Sequence, residues 1–215
     1  MFKRRDTRSW LHVIGRVFYP KGGWGRAVSY VVHRLRRLPD PPHKIARGVA
    51  AGVFVCFTPF FGFHFFLAAG LAYVMQGNIL AALLSTFFGN PITFPIIAAV
   101  SLEFGNWMLG IENGVPLQRV FGEFSRASVE LWQNATAIFT SDVAHWTNLG
   151  NFFWRIAWPY TVGGIIPGII TAIAMYMLAR PAVSAYQNRR IKKLKARFEK
   201  RKLALEKADA DRESD

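Results

Sequence analysis

The sequence predicts an all-α integral membrane protein in which amphipathic helices flank two proline-broken apolar segments and a C-terminal transmembrane helix. Residues 48–102 contain no Asp, Glu, Lys or Arg, and residues 156–179 form a second stretch without them. As a helix the second stretch is about 36 Å long, enough to cross a hydrocarbon core of about 30 Å. Most of the positive charge lies outside these stretches: 12 Lys and Arg precede residue 48, 3 lie within 48–179, and 12 follow.

The charge distribution predicts the orientation. Short flanks rich in Lys and Arg stay cytoplasmic, so both termini are expected inside a multi-pass protein of the bacterial inner (cytoplasmic) membrane. The pattern divides the chain into five regions. They are basic cytoplasmic amphipathic helices (1–47), a broken-helix membrane core (48–110), an external or interfacial amphipathic segment (111–155), a transmembrane helix (156–179), and a basic cytoplasmic helix with an acidic disordered tail (180–215).

Residues 8–19 and 26–38 each predict an amphipathic helix. In the second one, apolar residues share a face and arginines lie off it; the apolar residues are Val28, Val31, Val32 and Leu35. Such helices commonly lie in the plane of the lipid headgroups, held by apolar burial and by anionic lipids. A helix packed on a protein core is the alternative.

Two X-Pro steps, Thr58-Pro59 and Asn90-Pro91, interrupt the core region 32 residues apart. Each follows about eleven apolar residues, which reach roughly 16 Å as a helix, near the bilayer midplane. Two full crossings here plus the C-terminal span would leave the basic C-terminus outside. One broken segment is therefore expected to be a re-entrant hairpin. We favour the first, residues 48–76, although the reverse assignment fits the charges equally well.

Both breaks place an N-cap residue before proline, the combination typical of a helix start. Two helix starts at one depth would direct backbone N–H groups at an anion, as in transporters with discontinuous helices. Simple proline kinks are the alternative. Glycines beside each break allow a turn or a close approach of backbones. The predicted substrate-binding residues are Thr58, Pro59, Gly62, His64, Gly89, Asn90, Pro91, Thr93, Pro95 and Glu103.

His64 and Glu103 are the ionisable side chains nearest the apolar region, although packing and interfacial roles are alternatives for them. The sequence has no paired-carboxylate, nucleophile–base or metal-spaced motif, so we expect no enzyme, cofactor or metal site. Cys56 is expected to be a small buried residue.

The expected partners are membrane lipids with anionic headgroups. The basic run 188–202 fits lipid contact and topology better than nucleic-acid binding. Two GxxxG pairs, Gly48/Gly52 and Gly164/Gly168, predict that their segments pack together or with a second copy in a homo-oligomer.

Two stretches carry a resemblance to a known family: "IARGVAAGVFVCFTPFFGFH" (45–64), and "GNPITFP" (89–95) followed by "EFGNWMLG" (103–110). Across about residues 25–180 the chain resembles a bacterial membrane-protein family catalogued as domain of unknown function number two thousand and sixty-two. The resemblance implies an inner-membrane location, and some relatives are joined to glycosyltransferase domains. It implies no established activity.

Two functional hypotheses follow from the sequence. The first is a carrier or translocator of an anionic substrate, with lipid phosphates such as polyprenyl phosphate favoured. The alternative is a non-catalytic structural or assembly protein that supports cell-envelope glycan or lipid synthesis.

Overall fold

The computed structural model describes residues 23–60, 62–112, 114–139 and 143–213, all of them helical or in turns and connections. This confirms the all-α class; the helix predicted over residues 8–19 lies outside the described residues. The elements in order are α1 (Gly23–Arg36), α2 (Pro42–Val55), α3 (His64–Val74), α4 (Ile79–Ser85) with a 3-10 turn (Thr86–Phe88), α5 (Thr93–Leu109), α6 (Leu117–Ala137), α7 (Thr147–Phe152), a π-helical turn (Phe153–Ala157) and α8 (Trp158–Glu213).

Helices α2 and α3 form a hairpin whose two ends meet. The backbone N–H of Asn78 donates to the carbonyl of Lys44 at 2.9 Å, and Arg47 Nη1 donates to the carbonyl of Met75 at 3.0 Å. A Cβ on Gly77 would lie 2.7 Å from the backbone nitrogen of Gly48. The first broken segment therefore starts and ends at one level, which is the geometry favoured for it from the sequence.

Helix α4 runs beside α2 in the same direction, at backbone-contact distance. A Cβ on Gly48 would lie 2.2 Å from the carbonyl oxygen of Asn78, and a Cβ on Gly52 would lie 2.2 Å from that of Ala82. Both glycines of this GxxxG pair therefore contact α4 of the same chain. The sequence pattern could not distinguish this partner from α8 or from a second copy.

Helix α8 packs antiparallel to α2 and forms the axis of the fold. In the C-terminal half of α8, Gln187 Nε2 donates to the carbonyl of Asp40 at 2.9 Å. Farther along, Gly164 lies against the carbonyl of Phe57, and Gly168 lies against the ring of Phe54. The second GxxxG pair thus contacts the end of α2, so the two segments do pack together, although their glycines do not face each other.

Helix α8 is longer than the sequence predicts. The charge-free stretch ends at residue 179, but the helix continues without a break to Glu213 and accommodates Pro167 and Pro181. The sequence predicts a disordered acidic tail after the basic helix, whereas the structure continues the helix through residues 206–213.

Helix α5 bends away from α4 by 87° and packs on the first part of α8. The contact is backbone to backbone, because a Cβ on Gly105 would lie 1.8 Å from the carbonyl oxygen of Pro159, and a Cβ on Gly163 would lie 2.1 Å from that of Ser101. Small residues at this crossing allow the two helices to approach this closely.

Helices α6 and α7 form a second hairpin, held by buried polar side chains. Glu130 accepts hydrogen bonds from the backbone N–H groups of Asn148 and Leu149, and its carboxylate thereby caps the start of α7. Asn134 is also buried and exchanges two hydrogen bonds with the backbone of His145. These contacts fix the segment as a folded unit beside α5 and α8.

Within the described residues, one helical run is long and apolar enough to cross a membrane: Thr147–Leu203, which covers α7, the π-helical turn and most of α8. The bent pair α4–α5 passes the same test only if it counts as one span. Only 17% of the most apolar window of the long helix is buried, so it differs from the core helix of a soluble protein. A multi-pass topology therefore stays a prediction.

Helix α1 contacts α4 and α8 through one face. Val31, Val32 and Leu35 are half-buried there, but Val28 is exposed. The structure therefore supports the alternative interpretation of this helix, packing on protein, for most of its apolar face.

Candidate functional site

The two breaks meet at one open cavity of about 610 Å³. Four helix ends supply its wall: the last turns of α2 and α4 and the first turns of α3 and α5, with one aromatic ring from α6. The lining residues are Cys56, Gly62, His64, Phe65, Thr86, Phe87, Gly89, Asn90, Pro91, Phe94, Pro95 and Phe121.

Asn90 caps the turn that leads into helix α5, which starts three residues later at Thr93. Its Oδ1 accepts hydrogen bonds from the N–H groups of Ile92 at 2.9 Å and Thr93 at 3.1 Å, and its carbonyl accepts one from Phe94 at 2.8 Å. In return, the N–H of Asn90 donates to Thr93 Oγ1 at 3.1 Å. This reciprocal arrangement is a capping box in which threonine stands where glutamate is usual.

The capping box changes the electrostatics expected at this break. Pro91 has no N–H, and the next three backbone donors of α5 all end on Asn90. The first turn of this helix is therefore saturated by its own chain. An anion could use these donors only by displacing Asn90, so the predicted backbone anion site is not preformed here.

Thr58 does not start a helix, and this prediction is wrong. Its hydroxyl donates to the carbonyl of Val55 at 2.8 Å, so it closes the last turn of α2. Helix α3 begins only at His64, and no side chain caps it. The Thr-Pro step therefore follows the end of α2, whereas the Asn-Pro step precedes α5. The difference arises because the Asn90 side chain bonds to residues that follow it, and the Thr58 side chain bonds to a residue that precedes it.

The glycines act in the two ways expected. Gly62 has a φ of 87°, in the left-handed region that favours glycine, and it turns the chain between α2 and α3. Gly89 allows a close approach instead, since a Cβ there would lie 3.1 Å from the sulfur of Cys56. Cys56 is buried, as expected, and its thiol is near the carbonyls of Gly52 and Thr86.

His64 joins the two sides of the first break. Its Nε2 lies 3.2 Å from the carbonyl oxygen of Thr58. Because a carbonyl can only accept, Nε2 must carry the proton of this hydrogen bond. The imidazole therefore has a packing role, tying the start of α3 to the end of α2, and it also borders the cavity.

Six of the ten predicted site residues line the cavity: Gly62, His64, Gly89, Asn90, Pro91 and Pro95. Thr93 supports it through the capping box, while Thr58 and Pro59 form the turn behind it. Glu103 does not join them. It is exposed on the outer side of α5 and shares that side with Ile96, Val100 and Trp107.

The sequence analysis did not predict the aromatic part of the lining, because its candidate residues are polar groups, glycines and prolines. Phe65, Phe87, Phe94 and Phe121 give the cavity a predominantly apolar wall. Three of them are close in sequence to predicted site residues: Phe65 follows His64, Phe94 follows Thr93, and Phe87 is two residues before Gly89. Phe121 comes from a separate helix, and nothing local in the sequence connects it to the breaks.

The cavity can hold a hydrocarbon group beside a few polar atoms. Across the described part of the chain, no group of three or more His, Cys, Asp or Glu side chains is placed to hold a metal ion.

Comparison with known proteins gives one match. No curated protein and no solved structure matches the chain. A family model does match it, over residues 25–192, and that family is described as "Uncharacterized protein conserved in bacteria (DUF2062)". The match covers most of the chain, including both breaks and the first two thirds of α8, so the protein belongs to the DUF2062 family of bacterial proteins.

Proposed function

We propose that this protein is a multi-pass inner-membrane protein that carries or translocates an anionic lipid, with the cavity between the two breaks receiving the hydrocarbon part of the substrate. Helices α2 and α3 form a re-entrant hairpin, α4 and α5 cross as one bent span, and α8 returns. This path leaves both termini cytoplasmic, in agreement with the positions of Lys and Arg.

The apolar surface supports membrane insertion. Helix α3 and the residue before it expose four large apolar residues by more than half of their surface: Phe63, Phe66, Tyr73 and Val74. Helix α8 exposes a continuous aliphatic surface, formed by Ile165, Ile166, Ile169, Ile170, Ile173, Met177 and Leu178. Leaving one such side chain in water forgoes about 1.5–3 kcal/mol of transfer free energy, so lipid is the solvent that fits this surface.

The observation that carries the proposal is the shared cavity. Two helix breaks 32 residues apart in sequence line one open, apolar-walled cavity between discontinuous helices, where transporters commonly bind their substrates. Because Asn90 and Thr93 saturate the first turn of α5, the cavity suits an acyl or prenyl chain better than a phosphate. The anionic headgroup then needs a separate cationic partner.

The assembly alternative loses one of its supports. Gly48 and Gly52 contact α4, and Gly164 and Gly168 contact the end of α2. Neither GxxxG pair is available for a second copy of the chain, so association would have to use other surfaces.

Reconstituted liposomes test the proposal. Purified protein in vesicles that contain a fluorescent phosphate lipid should accelerate its transfer between leaflets, measured by quenching with a membrane-impermeant reductant. Phe65→Trp adds volume inside the cavity and should slow transfer at least several-fold.

Phe66→Trp is the matched control, because Phe66 is the neighbouring residue on α3, does not line the cavity and is 75% exposed. It should leave the rate unchanged. Equal transfer by both variants, or no acceleration by the unmodified protein, would contradict the carrier hypothesis.

A further inference from the structure

We infer that a second cleft, between the α2–α3 hairpin and α8, binds a phosphate-bearing lipid, with Arg47 holding the phosphate. The cleft has a volume of about 460 Å³ and is separate in its lining from the cavity at the breaks. Three helices form it. Its lining residues are Arg47, Ala50, Ala51, Phe54, Leu71, Met75, Ile169, Ala172, Ile173 and Tyr176.

The polar groups of this cleft lie at one end. Arg47 precedes the other lining residues of α2, and Met75 follows Leu71 on α3, whose direction is opposite. Since α8 is antiparallel to α2, Tyr176 lies at the same end as Arg47. Phe54 and Ile169 mark the other end, about 10 Å deeper along α2. The cleft is thus cationic and polar at its mouth and apolar below, as a phospholipid is.

Arg47 has donors to spare for a ligand. Its Nη1 donates to the carbonyl of Met75 at 3.0 Å. A guanidinium has five N–H donors in a planar fork, which matches the oxygens of a phosphate group, so four donors are left. Tyr176 lines the same end of the cleft, and its side chain carries one more hydrogen-bond donor.

The position of Arg47 in the sequence agrees with this assignment. It is the last cation before the charge-free stretch 48–102, so on the membrane placement proposed above it lies at the cytoplasmic interface, where the phosphates of the inner leaflet are. Basic pockets between membrane helices on this side bind anionic headgroups. The apolar wall below Arg47 favours a lipid over inorganic phosphate, because inorganic phosphate has no hydrocarbon chain to pack against Phe54 and Ile169.

Native mass spectrometry of the full-length protein in detergent tests the inference. The probes are phosphatidylglycerol and a diacylglycerol with the same acyl chains, which lacks the phosphate. Arg47→Gln should weaken retention of phosphatidylglycerol about tenfold, the loss expected for one charge-assisted hydrogen-bonding partner, and should not affect diacylglycerol. Arg34→Gln, an exposed arginine on α1, is the matched control and should retain both lipids.

A second variant keeps the test decisive if Arg47→Gln unfolds the hairpin. Ile169→Trp fills the cleft and leaves the Arg47–Met75 hydrogen bond intact, so it should lower retention of both lipids. Ile170→Trp changes the adjacent residue, which is 63% exposed and lies outside the cleft, and should have no effect.

Equal retention of phosphatidylglycerol by the Arg47 and Arg34 variants would overturn the assignment, as would displacement of the lipid by millimolar inorganic phosphate. The outcome is independent of the transfer assay. If Arg47→Gln loses phosphatidylglycerol but Phe65→Trp transfers lipid at the normal rate, the cleft is upheld and the carrier hypothesis is rejected. If Arg47→Gln retains the lipid but Phe65→Trp slows transfer, the carrier hypothesis is upheld and the cleft is rejected.

Discussion

Removing the side chain of Asn90 should loosen the bend between α4 and α5. In Asn90→Ala, the N–H groups of Ile92 and Thr93 lose the oxygen that accepts both of them. Loss of an N-cap costs about 1 kcal/mol, and leaving a second half-buried donor unpaired costs about 1 kcal/mol more. We therefore expect the free energy of unfolding to fall by about 2 kcal/mol.

The effect is measurable as a thermal shift. In a chain of this size, 1 kcal/mol corresponds to a change of about 2–4 °C in Tm, so Asn90→Ala should lower Tm by about 4–8 °C in detergent micelles. Asn90→Asp keeps the accepting oxygen and should recover most of this loss. If both variants melt alike, the capping geometry does not explain the role of this residue.

A double-mutant cycle with Thr93→Val checks the reciprocity of the capping box. Thr93 Oγ1 accepts the N–H of Asn90, so the two side chains support the same turn. Once one partner is lost, the other contributes less, and the double variant should be less destabilised than the sum of the singles by about 0.5 kcal/mol or more. Strict additivity would show that the two contacts act independently and would refute the argument.

Two further predictions concern the rest of the fold. Gly163→Ala should lower the free energy of unfolding by about 1–3 kcal/mol, because the new Cβ would lie 2.1 Å from the carbonyl oxygen of Ser101 where α5 and α8 cross. Gly122→Ala is the control, since a Cβ there meets no atom within 4 Å. Equal melting temperatures of the two variants would contradict the packing argument. Burial alone raises the pKa of Glu130, but hydrogen bonds from Leu149 and Asn148 outweigh it and hold the pKa below its ordinary value of 4.5. The carboxylate therefore stabilises the α6–α7 hairpin above pH 4.5 and stops doing so as the pH falls below that value, so acid should lower the Tm of the wild type more than that of Glu130→Gln.

The main elements could be predicted from local signals. Charge-free stretches gave the apolar helices, and the Asn-Pro step gave the start of α5, because an asparagine cap acts within three residues of itself. Counting crossings against the positions of Lys and Arg predicted that one of the two broken segments is a hairpin, but it did not distinguish the first from the second. In each case the determining interaction joins residues that are close in sequence, or the feature depends on composition alone.

The errors arose where a local pattern allows two conformations or where distant contacts decide. Thr58-Pro59 has the same kind of sequence as Asn90-Pro91, but the Thr58 hydroxyl donates to the carbonyl of Val55, three residues earlier, and a threonine side chain can bond in either direction along the chain. A distant contact fixes the partner of Gly48, because the turn after α3 brings Asn78 back to it. Glu103 was selected for its chemistry, and its place on the outer side of α5 depends on how that helix meets α8.

The unbroken length of α8 has a mechanical consequence. Every described side chain from residue 188 to residue 203 is exposed, so beyond Gln187 the helix extends past the hairpin as a free arm. From there to Glu213 the arm is about 39 Å long. A change of about 10° in the tilt of the part of α8 that packs on α2 would move the end of the arm by about 7 Å. A small rotation of α8 beside the apolar clefts would therefore become a large, directional displacement at the far end of the helix.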